Sequence, residues 1–169
     1  MSTVSEAIAK LSKTFTDQPE KARTKNAAAT ASLQDGLQFL VTGPAGEKIL
    51  TDMPAPMGGA ASGPNPGWLL RAALASCNAT VIAMRAARLG VKLETLEVTV
   101  DSDSDNRGIL GLDDRVTAGL LSLRTKVRIG AKDAAPAQLR EFVAWAEAHS
   151  PVGCTIRQAP SATTEVEVV

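Results

Sequence analysis

Residues 65–90 read NPGWLLRAALASCNATVIAMRAARLG, and this stretch decides the fold. Asn65 followed by Pro66 is a helix start: the Asn side chain caps a free amide, and proline suits the first helical position because its missing N–H would have no partner there. Arg85 and Arg88 stand near the negative end of the helix dipole, and Gly90 is the stop. Between these signals Trp68, Leu69, Leu70, Leu74, Val81, Ile82, Met84 and Leu89 are spread around nearly the whole circumference, with alanines in the gaps. A helix apolar on almost every side is built for an interior, not a surface. Its clearest polar line is Arg71, Asn78 and Arg85, spaced seven apart and so nearly superimposed along the axis. Cys77 sits about a third of a turn to the side of Asn78. One of the chain's two thiols therefore lies on the element that the rest must cover.

A chain of 169 residues fits one domain with a real core. Its 18 basic and 18 acidic residues cancel, so no global charge draws it to nucleic acid or to a membrane surface. Tyrosine is absent and aromatics make up 3% of the chain, which removes the stacking platforms of a single-strand binder. The first residues hold no apolar run of signal-peptide length, and Arg71, Asn78 and Arg85 interrupt the longest apolar helix. The expectation is a cytoplasmic protein that neither spans nor binds a membrane. Two distant cysteines make no disulfide framework; they are either inert core residues or a redox pair.

Thr3 to about Phe15 reads as an amphipathic helix. Thr3 and Glu6 have capping-box spacing, and Val4, Ala7, Ile8, Leu11 and Phe15 form one stripe. A helix this short needs a partner surface. Asp17–Arg23, with Pro19, reads as a linker, so residues 1–24 form a helical arm and linker and residues 25–169 the main domain. Lys25 to about Met53 predicts a β-meander: a weak strand over Ala29–Leu33, a hairpin at Asp35-Gly36, a strand over Leu37–Thr42, a turn at Gly43–Gly46 and a third strand over Lys48–Asp52. From Pro54 to Pro66 the composition shifts to Pro, Gly, Ala and Ser, an irregular loop feeding the long helix. Gly58, Gly59 and Gly63 fit no phosphate-binding loop, because neither the Lys-Ser/Thr pair nor the GxGxxG spacing is there.

After Gly90, Leu96–Asp101 alternates Leu96, Val98 and Val100 inward with Glu97, Thr99 and Asp101 outward. Leu121–Ile129 places Leu121, Leu123, Val127 and Ile129 on one face and Arg124, Lys126 and Arg128 on the other. Antiparallel pairing sets an acidic outer face against a basic one, as a solvated sheet surface. The intervening DSDSDN at Asp101–Asn106 is not a calcium loop: its sixth position is Asn106, its twelfth is Leu112, and a strand precedes it. About Pro136 to Ala148 predicts a second helix, with Leu139, Phe142, Val143 and Ala146 buried. Ser150-Pro151 is another cap-then-proline start, placing Cys154 in the first turns of a short helix. Thr164, Val166 and Val168 alternate with Glu165 and Glu167 and predict a closing strand over Thr163–Val168.

A thiol reacts as its thiolate, which a nearby cation or a helix N-terminus favours. Cys154 has a predicted helix terminus and the lone histidine, His149, close before it; Cys77, deeper in its helix, needs a cation from elsewhere. If the fold brings the sulfurs together, oxidation of one and attack by the other gives a disulfide. Against this, free cysteine is often only a small buried hydrophobe. His149 at a helix end reads as a dipole partner. Two Cys and one His have no metal-ligand spacing, so neither a metal nor another cofactor is expected.

NPGWLLRAALASC, with Cys77 eleven residues after Pro66, resembles the first active-site motif of the OsmC/Ohr family of thiol-dependent hydroperoxide reductases. RAARLGVKLETLEVTV and the late SPVGCTI resemble the family's next strand and its second motif. The likeness runs in order from about Lys25 to Val169. It implies an α+β fold, with a long buried central helix wrapped by curved antiparallel sheets in an intertwined homodimer. It also implies a chemistry, in which peroxidatic Cys77 attacks an organic hydroperoxide, Cys154 resolves the sulfenic acid, and an external dithiol restores both.

The chain departs from the family pattern at three points and so reads as a divergent member. Gly67 stands where catalytic members carry a glutamate that organises an arginine over the thiolate. An alanine stands near that arginine's own place, with Arg23 a few residues too early. Ser150 stands where the resolving cysteine directly precedes the proline, and Cys154 comes one turn later. Two further readings stay open beside the enzyme: a dimer that binds a small apolar ligand, and a thiol redox sensor.

Overall fold

The structure, a computed structural model, describes residues 3–169. The chain divides into two compact units, one ending at Ala73 and one spanning Leu74–Val169. In the first, helix α1 covers Val4–Asp17. Its capping box is formed as the sequence predicts: the Glu6 amide donates to Thr3 Oγ1 at 3.2 Å and the Thr3 amide to Glu6 Oε2 at 2.7 Å. Val4, Leu11 and Phe15 of its apolar stripe remain exposed. The predicted linker is partly ordered, as a 3₁₀ turn over Pro19–Ala22.

Strands β1 (Thr30–Asp35), β2 (Gln38–Thr42) and β3 (Lys48–Thr51) form an antiparallel meander in that order. Asp35 pairs with Gln38 across the predicted hairpin turn, and the register slips between Leu33 and Asp35. The glycine-rich loop after β3 is organised by Asp52, which is 1% exposed. Its Oδ2 accepts from the amides of Ser62 and Ala60, each at 3.0 Å, and from Ser62 Oγ at 2.8 Å; its Oδ1 accepts from the Met53 amide at 2.7 Å. These donors, the Ser62 amide foremost, hold the carboxyl down at about 2 against the opposing effect of burial. Loop amides that an anion would have needed are thus spent on a side chain of the chain itself. Gly59 and Gly63 let the loop close, since a Cβ would stand 1.8 Å from the Met53 carbonyl oxygen or 2.1 Å from that of Leu50.

Helix α2 covers Pro66–Arg88, opened by Asn65 Oδ1, which accepts from the Trp68 amide at 2.8 Å. It is the described helix long and apolar enough to cross a bilayer by length and composition. Packing accounts for its apolar side within the second unit. Leu74, Asn78, Ile82 and Ala86, four apart and therefore on one face, are its buried residues. Ile82 and Ala86 join Leu139, Phe142 and Ala146 of α4 (Pro136–His149) in the core, flanked by Leu96, Val98, Val127 and Ile129. Burying a side chain such as Phe142 or Ile82 contributes about 1.5–3 kcal/mol. Leu70, a turn before that face, and Met84, off it, stay 40% and 41% exposed.

Strands β4 (Leu93–Ser104) and β5 (Leu120–Ala131) pair antiparallel, with the charge rows opposed as predicted: Glu97 faces Arg128 and Asp101 faces Arg124. Arg128 Nη1 meets Glu97 Oε2 at 2.7 Å, and Arg124 bridges Asp101 and Asp103. Asp105 caps helix α3 (Asn106–Ile109) and pairs with Arg107. Leu121 corrects the expected inner face, being 59% exposed. The register passes from Asp103–Ser122 to Ser104–Leu120, so Leu121 is the extra residue of a bulge and turns outward. The predicted closing strand over Thr163–Val168 does not form, and Val166 and Val168 are 80% and 91% exposed. Alternation sets which face a residue takes once a ladder exists; it does not supply the neighbouring edge.

Candidate active site

Both thiols lie in the second unit, and the residue that links them is Ser150. Proline disfavours helical geometry in the residue before it, so Pro151 pushes Ser150 off the end of α4 into extended backbone, at φ −72° and ψ 116°. The same residue caps helix α5 (Pro151–Arg157), its Oγ accepting from the Gly153 amide at 3.2 Å. The two-residue signal read from the sequence is therefore present as a working cap. The side chain does more than cap. Ser150 is fully buried, and its hydroxyl donates to Cys77 Sγ at 3.2 Å, across 73 residues of sequence.

Cys77 is half-buried on α2. Cys154, also half-buried, lies one turn into α5, and its amide donates to the Ser150 carbonyl at 2.8 Å. The Cys77 sulfur thus engages the Ser150 side chain, and the Cys154 amide engages its backbone. The Cys154 sulfur takes other partners: it donates to the Ala148 carbonyl at 3.4 Å and accepts from Arg157 Nη2 at 3.4 Å. Arg157 also donates to the Glu147 carbonyl, so it serves the unpaired carbonyls at the end of α4, where a cation is favoured. The Arg157 guanidinium thus sits on Cys154.

His149 is not aimed at either sulfur. Its ring stacks on Trp145 with centroids 4.0 Å apart and 10° between planes, and Nδ1 lies 2.7 Å from the Trp145 carbonyl. A carbonyl only accepts, so Nδ1 carries the proton there. This is the helix-end role that the sequence predicts. Arg85, from the polar line of α2, lies over the other aromatic partner, 5.0 Å from the Trp145 ring, and pairs with Glu141 at 2.6 Å. Among the described residues, no three His, Cys, Asp or Glu side chains gather as metal ligands would. A groove of about 870 Å³ lies between β5 and α4 in the second unit, lined by Val127, Ile129, Leu139, Val143, Arg128 and Arg140 among others, and neither cysteine borders it.

The long helix with its thiol, the Ser-Pro cap that meets it and the paired antiparallel strands agree with a family model described as OsmC-like protein, which matches residues 59–165. The chain belongs to the OsmC family. No curated protein matches it in sequence. Among solved structures, it is similar to an OsmC-like protein from Mycoplasma pneumoniae at 17% identity and TM-score 0.68, covering 81% of this chain and 91% of that one. It is similar to an organic hydroperoxide resistance protein OsmC from Legionella pneumophila at 20% identity and TM-score 0.59, covering 80% and 92%. It is also similar to the organic hydroperoxide resistance protein OhrB of Bacillus subtilis, at 21% identity and TM-score 0.53, covering 80% and 93%. At these identities the likeness is one of fold. In the OsmC pattern the second thiol directly precedes the proline of the second motif; here that position is Ser150, and its Oγ is the atom that meets Cys77.

The family resemblance places Ser150 where a partner of Cys77 would stand, but no local signal in the sequence marks the Ser150–Cys77 or the Arg157–Cys154 contact. Ser150 is legible as a cap and Arg157 as a cation near a helix end. Which sulfur each reaches depends on how α2 meets the α4–α5 corner, and no local signal holds that.

Proposed function

We propose that this protein reduces organic hydroperoxides in the cytoplasm, as a homodimer, with Cys77 as the peroxidatic thiol and Cys154 as the resolving one. The Ser150 hydroxyl on Cys77 Sγ carries the reading, because it gives a half-buried thiol a directed donor at the corner where the second thiol also sits. Family membership and the hydroperoxide-resistance names of two structural relatives support it.

The Cys77 thiolate attacks the outer peroxide oxygen. An S–O bond forms, the O–O bond breaks, and sulfur loses two electrons while the alkoxide leaves and takes a proton as the alcohol. The Cys154 thiolate then attacks the sulfenic sulfur: S–S forms, S–O breaks, and hydroxide leaves as water after protonation. Two exchanges with an external dithiol return both thiols and release the oxidised dithiol. Leu74 and Val81 flank Cys77 on α2, which favours a substrate with an alkyl or aromatic body over hydrogen peroxide. The exposed Leu70 and Met84 on α2 support a second copy as the cover for the rest of this helix.

The test is consumption of an alkyl hydroperoxide with dithiol present. Cys77→Ser abolishes it, and mass spectrometry after one equivalent of peroxide finds Cys77 joined to Cys154; unchanged turnover in Cys77→Ser ends the proposal. The groove between β5 and α4 favours a second reading, a dimer binding a small apolar ligand there, in which peroxide leaves both thiols reduced.

A further inference from the structure

We infer that Ser150 is an activating donor of Cys77, its hydroxyl directed at the sulfur that attacks. The inference rests on the peroxidatic reading of Cys77. Three observations carry it. The Ser150 hydroxyl has one proton, and at 3.2 Å that proton is directed at Cys77 Sγ. One lone pair of the same oxygen is taken by the Gly153 amide at 3.2 Å, which polarises the hydroxyl and strengthens its donation onward. The residue is fully buried, so water does not compete for the proton.

The arrangement is also held in place. Pro151 bars Ser150 from the helix, and the Cys154 amide grips its carbonyl at 2.8 Å. Gly153 leaves the oxygen room, since a Cβ there would stand 3.2 Å from Ser150 Oγ and 3.3 Å from Arg157 Nη1. A donor so fixed meets the charged sulfur without reorganising at the moment of attack.

The role differs in sign from that of a cap alone. Losing a cap loosens the corner, bares Cys77 and speeds its alkylation. Losing a donor weakens the thiolate form and slows both alkylation and oxidation. The experiment uses the full chain carrying Cys154→Ser, in which Cys77 is the single thiol, and follows its reaction with iodoacetamide and with tert-butyl hydroperoxide. Adding Ser150→Ala is expected to slow both reactions about tenfold, the loss of one directed hydrogen bond, with circular dichroism unchanged. Gly153→Ala, which keeps the hydroxyl and crowds it, slows both as well and stands in as the test if Ser150→Ala does not fold. Rates that stay within twofold in the folded variant, or that rise, overturn the inference. The two proposals fail separately: a wild-type chain that consumes no hydroperoxide sinks the peroxidase reading, while the iodoacetamide rates still judge Ser150.

Discussion

At the scale of single residues, buried Asp52 does for the loop what Ser150 does for the corner: one oxygen-bearing side chain gathers amides that would otherwise be unpaired. Its carboxyl is held at about 2, first by the Ser62 amide, against an ordinary value of 3.8. A group whose folded value is depressed adds stability that is complete above the unfolded value and is lost as pH falls through the folded one. The Asp52 contribution is therefore full above about pH 4 and drains away between pH 3.8 and about 2. Asp52→Asn turns a donor toward donors and lowers the melting temperature at neutral pH. Thermal melts at stepped pH are expected to show the gap between wild type and variant closing below pH 4; a gap constant down to pH 2 refutes the assignment. Asp103 obeys the same rule, held at about 2 chiefly by its hydrogen bond from Arg124. Arg124→Gln is expected to return it toward 3.8 in an NMR titration, with little change in stability, because the pair is solvated and salt-screened.

At the scale of elements, the second unit is held by α4 packed on the buried face of α2 and on the β4–β5 sheet. Phe142 is the largest fully buried side chain among the described residues and sits at that junction. Phe142→Ala is expected to cost about 3–5 kcal/mol, by transfer and cavity together, read as a lower urea midpoint. The sheet's outer face behaves differently: its acidic and basic rows choose the register and contribute little to stability. The bulge at Leu121 shows why strict alternation fails near a strand end. One unpaired residue shifts the in-and-out phase of the strand on either side of it, and strand sequence alone does not reveal it.

At the scale of the whole molecule, the chain exposes apolar residues on α2 that its own core does not use, Leu70 and Met84 among them. With a second copy as their cover, sedimentation of the full chain reports twice the 17.6 kDa protomer. Met84→Asp shifts it toward the monomer, since an aspartate loses its hydration on entering an apolar interface. A wild-type chain that sediments as a monomer at all concentrations refutes the homodimer.

The sequence by itself determined whatever depends on a few neighbouring residues. Asn65-Pro66 and Ser150-Pro151 start helices because caps and proline act on the adjacent amides; Thr3 and Glu6 close a box one turn long; Glu97, Asp101, Arg124 and Arg128 choose a strand pairing by charge. Tertiary structure decided the rest: that the Ser150 hydroxyl meets Cys77 while Arg157 goes to Cys154, that a single face of α2 is buried, and that the alternating Thr163–Val168 finds no ladder. Those outcomes depend on where separate elements come to rest against each other, and local backbone preference does not encode which side chain will be waiting there.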